Sequence, residues 1–516
     1  MTVTLDRPAA GLPDPPPPDW RRRLQPLVAA RGGWTTALLL TLVAGLLRFV
    51  RLALPATTLD AKGHLAGPGK IFDEIYYACD AQNLLRFGVE HEVLKPSETC
   101  VPTGGGSFIV HPPLGKWLIA LGEQAFGVNT LGWRFSAALF GTLTVLLVVR
   151  IGRRMTGSTL LGGLAGLLLA LDGLHFVSSR VGLLDVFLCF WLVAAFGALV
   201  LDRDQLRGRL AAQRPPGARP WRWVAGAGLG AACATKWSGL FPAAVMVLLT
   251  LSWEIGARRA AGDRTPRRST ARRTTLPLLA AFVALPLAVY LASWAGWLAS
   301  DVGWDRHWAQ GRGTSWWLLP GSLRSLWHYH AEILQFHTGL DARHPYQSHP
   351  LSWPFLGRPV SYYYPPGITA GTYGCRVASC SREVLAIGTP ALWWASVPVA
   401  VLLVARWVAR RDWRAGALVS LMVVNIAAWE PSDLHARTMF LFYALPSVPF
   451  LCLGAALVVG WGLGRAGTRR RSVVAFAGGV WTSLVVLNFV YLYPVLAAVT
   501  IPYGQWLARM WFRSWI

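Results

Sequence analysis

The chain has 516 residues, 54% of them apolar and only 14% charged, against about 25% charged in a typical soluble domain. A soluble protein of this size would need a polar surface that the composition cannot supply, so the natural solvent is a bilayer, as 27 Trp and 52 Gly also suggest. The formal charge of +24 lies in short clusters between apolar stretches, a pattern of the positive-inside rule and not of a nucleic-acid groove.

Residues 1–32 are expected to form a disordered cytoplasmic tail, because a proline-rich, charged stretch precedes the first apolar run, unlike a cleaved signal peptide. Runs suited to about 30 Å of hydrocarbon then predict an all-α polytopic membrane protein. The expected spans are 33–54, 133–151, 159–172, 183–201, 223–234, 240–254, 276–297, 385–404, 415–429, 439–461 and 473–495. The apolar run 221–256 would be about 54 Å long as one helix, and both flanks are Arg-rich, so it is read as two short spans. Residues 114–128 are read as a helix that returns on the outer side or lies at the interface, since a full crossing would put Arg150, Arg153 and Arg154 outside.

With these eleven spans and the N-terminus inside, every Arg cluster falls on one face. The membrane domain is then 33–496, with outer loops at about 55–130 and 298–384 and an outer tail at 497–516. All eleven His, including His64 and His435, fall outside or at the outer boundary. Cys79 and Cys100 share the first outer loop and Cys375 and Cys380 the second, so two disulfides are plausible in an oxidising compartment, with four free thiols as the alternative.

Gly67, Pro68 and Gly69 break the chain before IFDEIYYACDAQNLL, which places Phe72, Ile75, Tyr76 and Cys79 on one face of a helix at the outer membrane surface. Asp73 and Glu74 start that helix, a position that dipole complementation alone also favours. Further charges follow in HPPLGKW (His111, Lys116), GWRFSAAL (Arg134), SRVGLLD (Arg180, Asp185) and TKWSGLF (Lys236). Charges within a membrane are costly and suggest function; snorkelling is the alternative, weakest for Lys236 at the outward turn of a short helix pair. The second outer loop carries HPYQSHPLSWPFLGRPVSYYYPPG, dense in aromatic rings that suit sugar faces or headgroups, or an interfacial belt. His328 and His330 stand two apart, which matches no usual helical ligand spacing, and no metal is expected.

FDEIYY, HPPLGKW, WRFSAALFG, TKWSGLF, HPYQSHPLSWP and RTMFLFYALP, in this order from about Arg51 to the last span, resemble the protein O-mannosyltransferases, specifically the actinobacterial polyprenyl-phosphate-mannose enzymes. The second outer loop has no room for the β-trefoil inserts of the eukaryotic members. The resemblance implies a GT-C glycosyltransferase that moves mannose, with inversion, from a polyprenyl phosphate to Ser or Thr of proteins emerging outside; no cofactor is required beyond the lipid donor, and dependence on a divalent cation is left open. It implies Asp73 as the base and Glu74 as a residue orienting the acceptor or a cation, the two being exchangeable. Arg134 and Lys236, then Arg180, Arg437, His111 and Lys116, are expected at the donor phosphate or lipid. Asp185, His344, Gln347, Ser348 and Trp353 are expected at the sugar or acceptor. Two other readings stay open: a GT-C transferase for another sugar or a lipid acceptor, and a lipid-linked-sugar transporter, which would be expected to show internal repeats.

Overall fold

The computed structural model describes residues 19–56, 58–59, 65–67, 69–96, 99–312, 319–433, 437–464 and 467–516; His64 and His435 lie outside them. Helices stand over all eleven expected spans. Among the described residues eight are long and apolar enough to cross a membrane: Gly32–Phe49, Thr130–Thr156, Asp185–Ala211, Trp237–Ala260, Pro266–Ser293, Pro390–Arg410, Leu441–Leu463 and Arg469–Leu496. Pro220–Thr235, Thr159–Ala170 and Trp413–Ala427 are shorter. Pro266–Ser293 and Arg469–Leu496 turn rows of large apolar side chains outward, Leu276 at 77% and Phe476 at 75% exposed, which only a lipid solvent accommodates cheaply.

Three boundaries differ from expectation. The first helix begins at Asp19, so the end of the expected disordered tail is helical, in keeping with the good helix formers Arg, Leu and Ala there. The span expected from Leu385 opens instead as a strand, Val384–Ala386, paired antiparallel with Val360–Tyr363; the helix waits for Pro390, whose fixed φ suits a first helical turn. The segment 497–516 is no free tail. Ile501–Pro502 adds to a sheet with Ser379–Ser381 and Ile368–Thr369, and Trp506 and Trp515 are buried. Trp506 Nε1 donates to Glu383 at 2.6 Å and Arg358 Nη1 to the carbonyls of Ser514 and Ile516 at 2.6 Å, so these indoles and carbonyls find partners only against the second loop.

The segment expected at the interface is helix Leu114–Phe126, whose 13 residues are too short to cross. It lies against Thr130–Thr156 so closely that a Cβ on Gly122 would stand 2.3 Å from the Gly132 carbonyl oxygen. Beneath the acid helix, Glu74–Phe87, the side chains Ala78, Ala81, Ile119, Ala120, Trp133 and Ala137 form one apolar cluster. Another, with Ile109, Trp294, Trp297, Tyr329 and Ile333, fixes the loop helix Gly321–Thr338 over residues 107–111. There Tyr329 OH accepts from the Ile109 N–H at 2.8 Å and donates to the Ser107 carbonyl at 3.3 Å. Disulfides join Cys79 to Cys100 and Cys375 to Cys380, while Cys189, Cys233 and Cys452 are free.

Candidate active site

The two adjacent acids part company at the start of their helix. Phe72 adopts φ +49°, uncommon for a residue with a side chain, and its ring stacks on Tyr362 with centroids 4.6 Å apart. The turn sends Asp73 into a cavity and Glu74 into the protein interior. Glu74 is 0% exposed and forms a two-pronged pair with Arg134, Nε to Oε1 and Nη2 to Oε2 both at 2.7 Å. Its oxygens also accept from the Ile71 N–H at 2.9 Å and the Gly182 N–H at 2.8 Å. Arg134 spends its remaining donors on the carbonyls of Leu52, Leu54 and Gly69. Gly69 is required there: φ is +76° and a Cβ would lie 2.4 Å from the Pro55 carbonyl oxygen.

The buried residues of the acid helix are Glu74, Ala78, Cys79, Ala81, Gln82, Asn83 and Leu84. Of the expected stripe through Phe72, Ile75, Tyr76 and Cys79, Cys79 is buried, Phe72 and Ile75 are half-buried and Tyr76 is 55% exposed, so the packed face is turned from the expected one. The helix packs against protein, chiefly Leu114–Phe126, instead of resting on a uniform lipid surface. Asp73, Tyr77 and Asp80, at helical spacing, line a cavity of about 470 Å³. Its other walls include His111, Lys236, His337, His344, Arg437 and Tyr443. A second cavity of about 290 Å³ shares His111, Lys236, His337, Arg437 and Tyr443, then continues past Trp237, Leu240 and Phe241. Leu240 is 57% exposed, so this second space borders the lipid-facing surface. A cationic wall therefore separates an acid-bearing chamber from an apolar one.

Lys236 occupies the break between Pro220–Thr235 and the turn Trp237–Gly239, the outward turn expected of the short helix pair. Its Nζ meets both oxygens of Asp185, at 2.9 and 3.0 Å, and lies 5.2 Å from the Tyr443 ring centre. Arg437 Nε donates to the His337 carbonyl at 2.8 Å, while its Nη1 is buried with no partner among the described residues. His111 Nδ1 is likewise buried and unpartnered. Two polar groups with unmet demand on one wall mark where a ligand's oxygens would be held. Burial pushes the His111 imidazole well below its ordinary value, with Lys236 and His337 adding to the effect. Burial likewise lowers His337 to about 4, opposed by its hydrogen bond to the Val110 carbonyl. Across the cavity the Asp73 carboxylate has no hydrogen-bond partner among the described residues. Burial raises its pKa to about 6, Lys236 opposing the shift and Asp185 adding to it.

Several expected site residues lie elsewhere. Arg134 is clasped to Glu74 and lines neither chamber. Arg180 donates to the carbonyls of Leu47, Arg48, Val50 and Arg51, closing the end of the first helix. Trp353 is 0% exposed and donates to Ser348 Oγ at 2.9 Å, and Gln347 Oε1 accepts from the His344 N–H at 3.0 Å. Gln347, Ser348 and Trp353 thus shape the loop that carries His344. Lys116 does line the chamber, but Asp80 at 2.8 Å and Glu90 at 3.3 Å already neutralise it. Asp185 stands behind Lys236 and positions it. His328 stacks on Trp308 while His330 bonds to the Tyr290 hydroxyl at 2.7 Å, so the two point to different partners.

Sequence reading missed Asp80, Tyr77, His337 and Tyr443. The i, i+4, i+7 spacing from Asp73 could have found Tyr77 and Asp80, whereas His337 and Tyr443 meet only through tertiary folding.

The architecture is that of a membrane glycosyltransferase of the GT-C class. The chain belongs to the dolichyl-phosphate-mannose-protein mannosyltransferase family, which matches residues 67–297, with the C-terminal four-helix region of protein O-mannosyltransferases matching 322–515. It is 42% identical over 508 residues to the polyprenol-phosphate-mannose–protein mannosyltransferase of Mycobacterium tuberculosis, covering 94% of this chain and 92% of that one. The Mycolicibacterium smegmatis protein of the same name is 39% identical over 543 residues, covering 99% of each chain. In fold the chain is similar to an S. cerevisiae protein O-mannosyltransferase complex bound to its sugar donor, with a TM-score of 0.69, 15% identity, and 94% and 92% of the two chains covered.

Proposed function

We propose that this chain transfers mannose from polyprenyl-phosphate mannose to Ser or Thr hydroxyls of proteins, with inversion at the anomeric carbon. The observation that carries the reading is the cationic wall of Lys236 and Arg437 between an apolar chamber open to lipid and a chamber holding the unpaired Asp73. The polyprenyl chain occupies the lipid side and its phosphate takes the unmet donor of Arg437 and the charge of Lys236. The acceptor hydroxyl enters the Asp73 chamber, lined by Tyr77, Phe108 and His344. Asp73 takes the hydroxyl proton as the new oxygen–carbon bond forms and the bond to phosphate breaks, and the cations stabilise the departing phosphate. Charge on the leaving group is met by side chains, so no resident cofactor enters the scheme; transfer by purified enzyme in EDTA is expected to be unchanged.

The test is incubation of enzyme-containing membranes with radiolabelled polyprenyl-phosphate mannose and a Ser/Thr- and Pro-rich peptide. Label in peptide supports the reading; label in lipid alone, or none, contradicts it.

We further infer a plasma-membrane enzyme with its N-terminus and Arg clusters cytoplasmic and the Asp73 chamber outside. Cysteine probes at Gly105 and Tyr346 are expected to react with an impermeant reagent on intact cells, and one at Ala261 is not. Labelling at Ala261 would reverse the orientation.

A further inference from the structure

At the opposite end of Asp185–Ala211 from the active site lies a cavity that the transfer reaction does not use. Arg203 is 18 residues beyond Asp185, roughly 27 Å along the helix, about the thickness of the hydrocarbon core. The cavity, of about 930 Å³, is lined by Arg203, Arg207, Arg259, Arg267 and Arg411, and by no carboxylate among the described residues. Its remaining wall includes Trp253, Trp407, Trp413, Leu249 and Val408.

Other arginines at this end meet acids. Arg219, Arg222 and Arg258 surround Glu254, with Asp202 beside them, and Arg414 pairs with Asp412 at 2.7 Å. In the cavity only Arg203 has such a partner, Asp204 at 3.0 Å, and its guanidinium lies 3.6 Å from the Trp413 ring centre. Arg207, Arg259, Arg267 and Arg411 have no side-chain hydrogen bond or ion pair among the described residues. The positive-inside rule accounts for their sign but not for their convergence, from separate helices, on an acid-free space walled by tryptophan. These four arginines are exposed, so water and salt screen part of their repulsion; a bound anion would lower it further, and guanidinium forks match phosphate oxygens in pairs.

We infer that this cavity binds a group carrying two phosphates, either the headgroup of a bis-phosphate lipid or a soluble diphosphate. Four guanidinium groups without an acid partner among the described residues carry more positive charge than one phosphate, at about −2, neutralises. The tryptophans suit the glycerol and upper acyl region of a lipid, and basic pockets between membrane helices are a recurrent place for such headgroups.

The test is native mass spectrometry of the delipidated full chain in neutral detergent, titrated with tetraoleoyl cardiolipin, dioleoyl phosphatidylglycerol or sodium pyrophosphate. Wild type is expected to bind cardiolipin or pyrophosphate at least tenfold more tightly than the variant Arg207→Gln/Arg259→Gln/Arg267→Gln. Bound cardiolipin that excess pyrophosphate leaves in place assigns a lipid; pyrophosphate bound alone assigns a soluble diphosphate. A control, Arg264→Gln/Arg268→Gln/Arg272→Gln, removes equal charge from exposed positions outside the cavity and is expected to bind as wild type does. Intact melting of both variants excludes misfolding. Equal binding by wild type and the cavity variant, equal loss in the control, or phosphatidylglycerol binding as tightly as cardiolipin would overturn the inference.

Discussion

Glu74 and Arg134 face each other through two parallel 2.7 Å contacts, both side chains wholly buried. The pair joins the acid helix to Thr130–Thr156 and, through the Gly69 and Leu54 carbonyls, to the chain entering the helix. It fixes the direction in which the neighbouring carboxylate, Asp73, points. Two adjacent acids that look exchangeable in sequence thereby receive different work: one holds the scaffold and the other faces the chamber.

Arg134→Gln is expected to destabilise the protein, because it strands a buried carboxylate; breaking one side of a buried ion pair costs about 3–5 kcal/mol. Glu74→Gln should also destabilise, by less, since the amide keeps one acceptor for Arg134. Melting of the detergent-purified variants against wild type checks both. A variant Arg134→Gln with wild-type melting and a raised donor KM would make this arginine a phosphate ligand instead.

Arg437→Gln is expected to lower kcat/KM for the donor by about 10- to 100-fold, the worth of a hydrogen bond to a charged group, with melting unchanged. Lys236→Gln should lose at least as much, but it also strands Asp185. The double change Lys236→Gln/Asp185→Asn therefore separates the effects: it restores melting without restoring donor use. Recovery of transfer in the double variant would show that Lys236 serves only to neutralise Asp185.

Much of this arrangement was legible in the sequence, and the failures share a cause. Hydropathy located the helices because lipid exposure demands long apolar runs, and it placed Lys236 at a turn because 221–256 is too long for one crossing. Arg134 and Arg180 looked functional because a charge near a membrane is costly. A guanidinium has five donors, however, and the chain around Leu47 to Leu54 leaves carbonyls uncovered as its helix ends; these arginines satisfy them. Hydropathy carries no information on that need. The strand at Val384–Ala386 was misread for a related reason, since a short buried apolar run has the same composition whether it pairs as a strand or begins a helix.

The pH dependence follows from the Asp73 carboxyl, raised to about 6 chiefly by burial. It accepts a proton only when ionised, so kcat/KM is expected to be level above about pH 7 and to fall toward tenfold per pH unit well below 6. His111 and His337 are both shifted downward by burial, His337 to about 4, away from the limb assigned to Asp73. An unchanged rate from pH 7 to 5 would contradict an ionised Asp73 as the base.

The most direct measurement is single-turnover mannose transfer by purified Asp73→Asn, with binding of polyprenyl-phosphate mannose recorded on the same preparation. Asn preserves size and cannot accept the hydroxyl proton. Transfer is expected to fall by at least about 10²-fold, the low end of a general-base contribution, while donor binding holds or tightens because a carboxylate facing the phosphate is gone. Transfer within about tenfold of wild type, below that contribution, would contradict the assignment of Asp73 as the base.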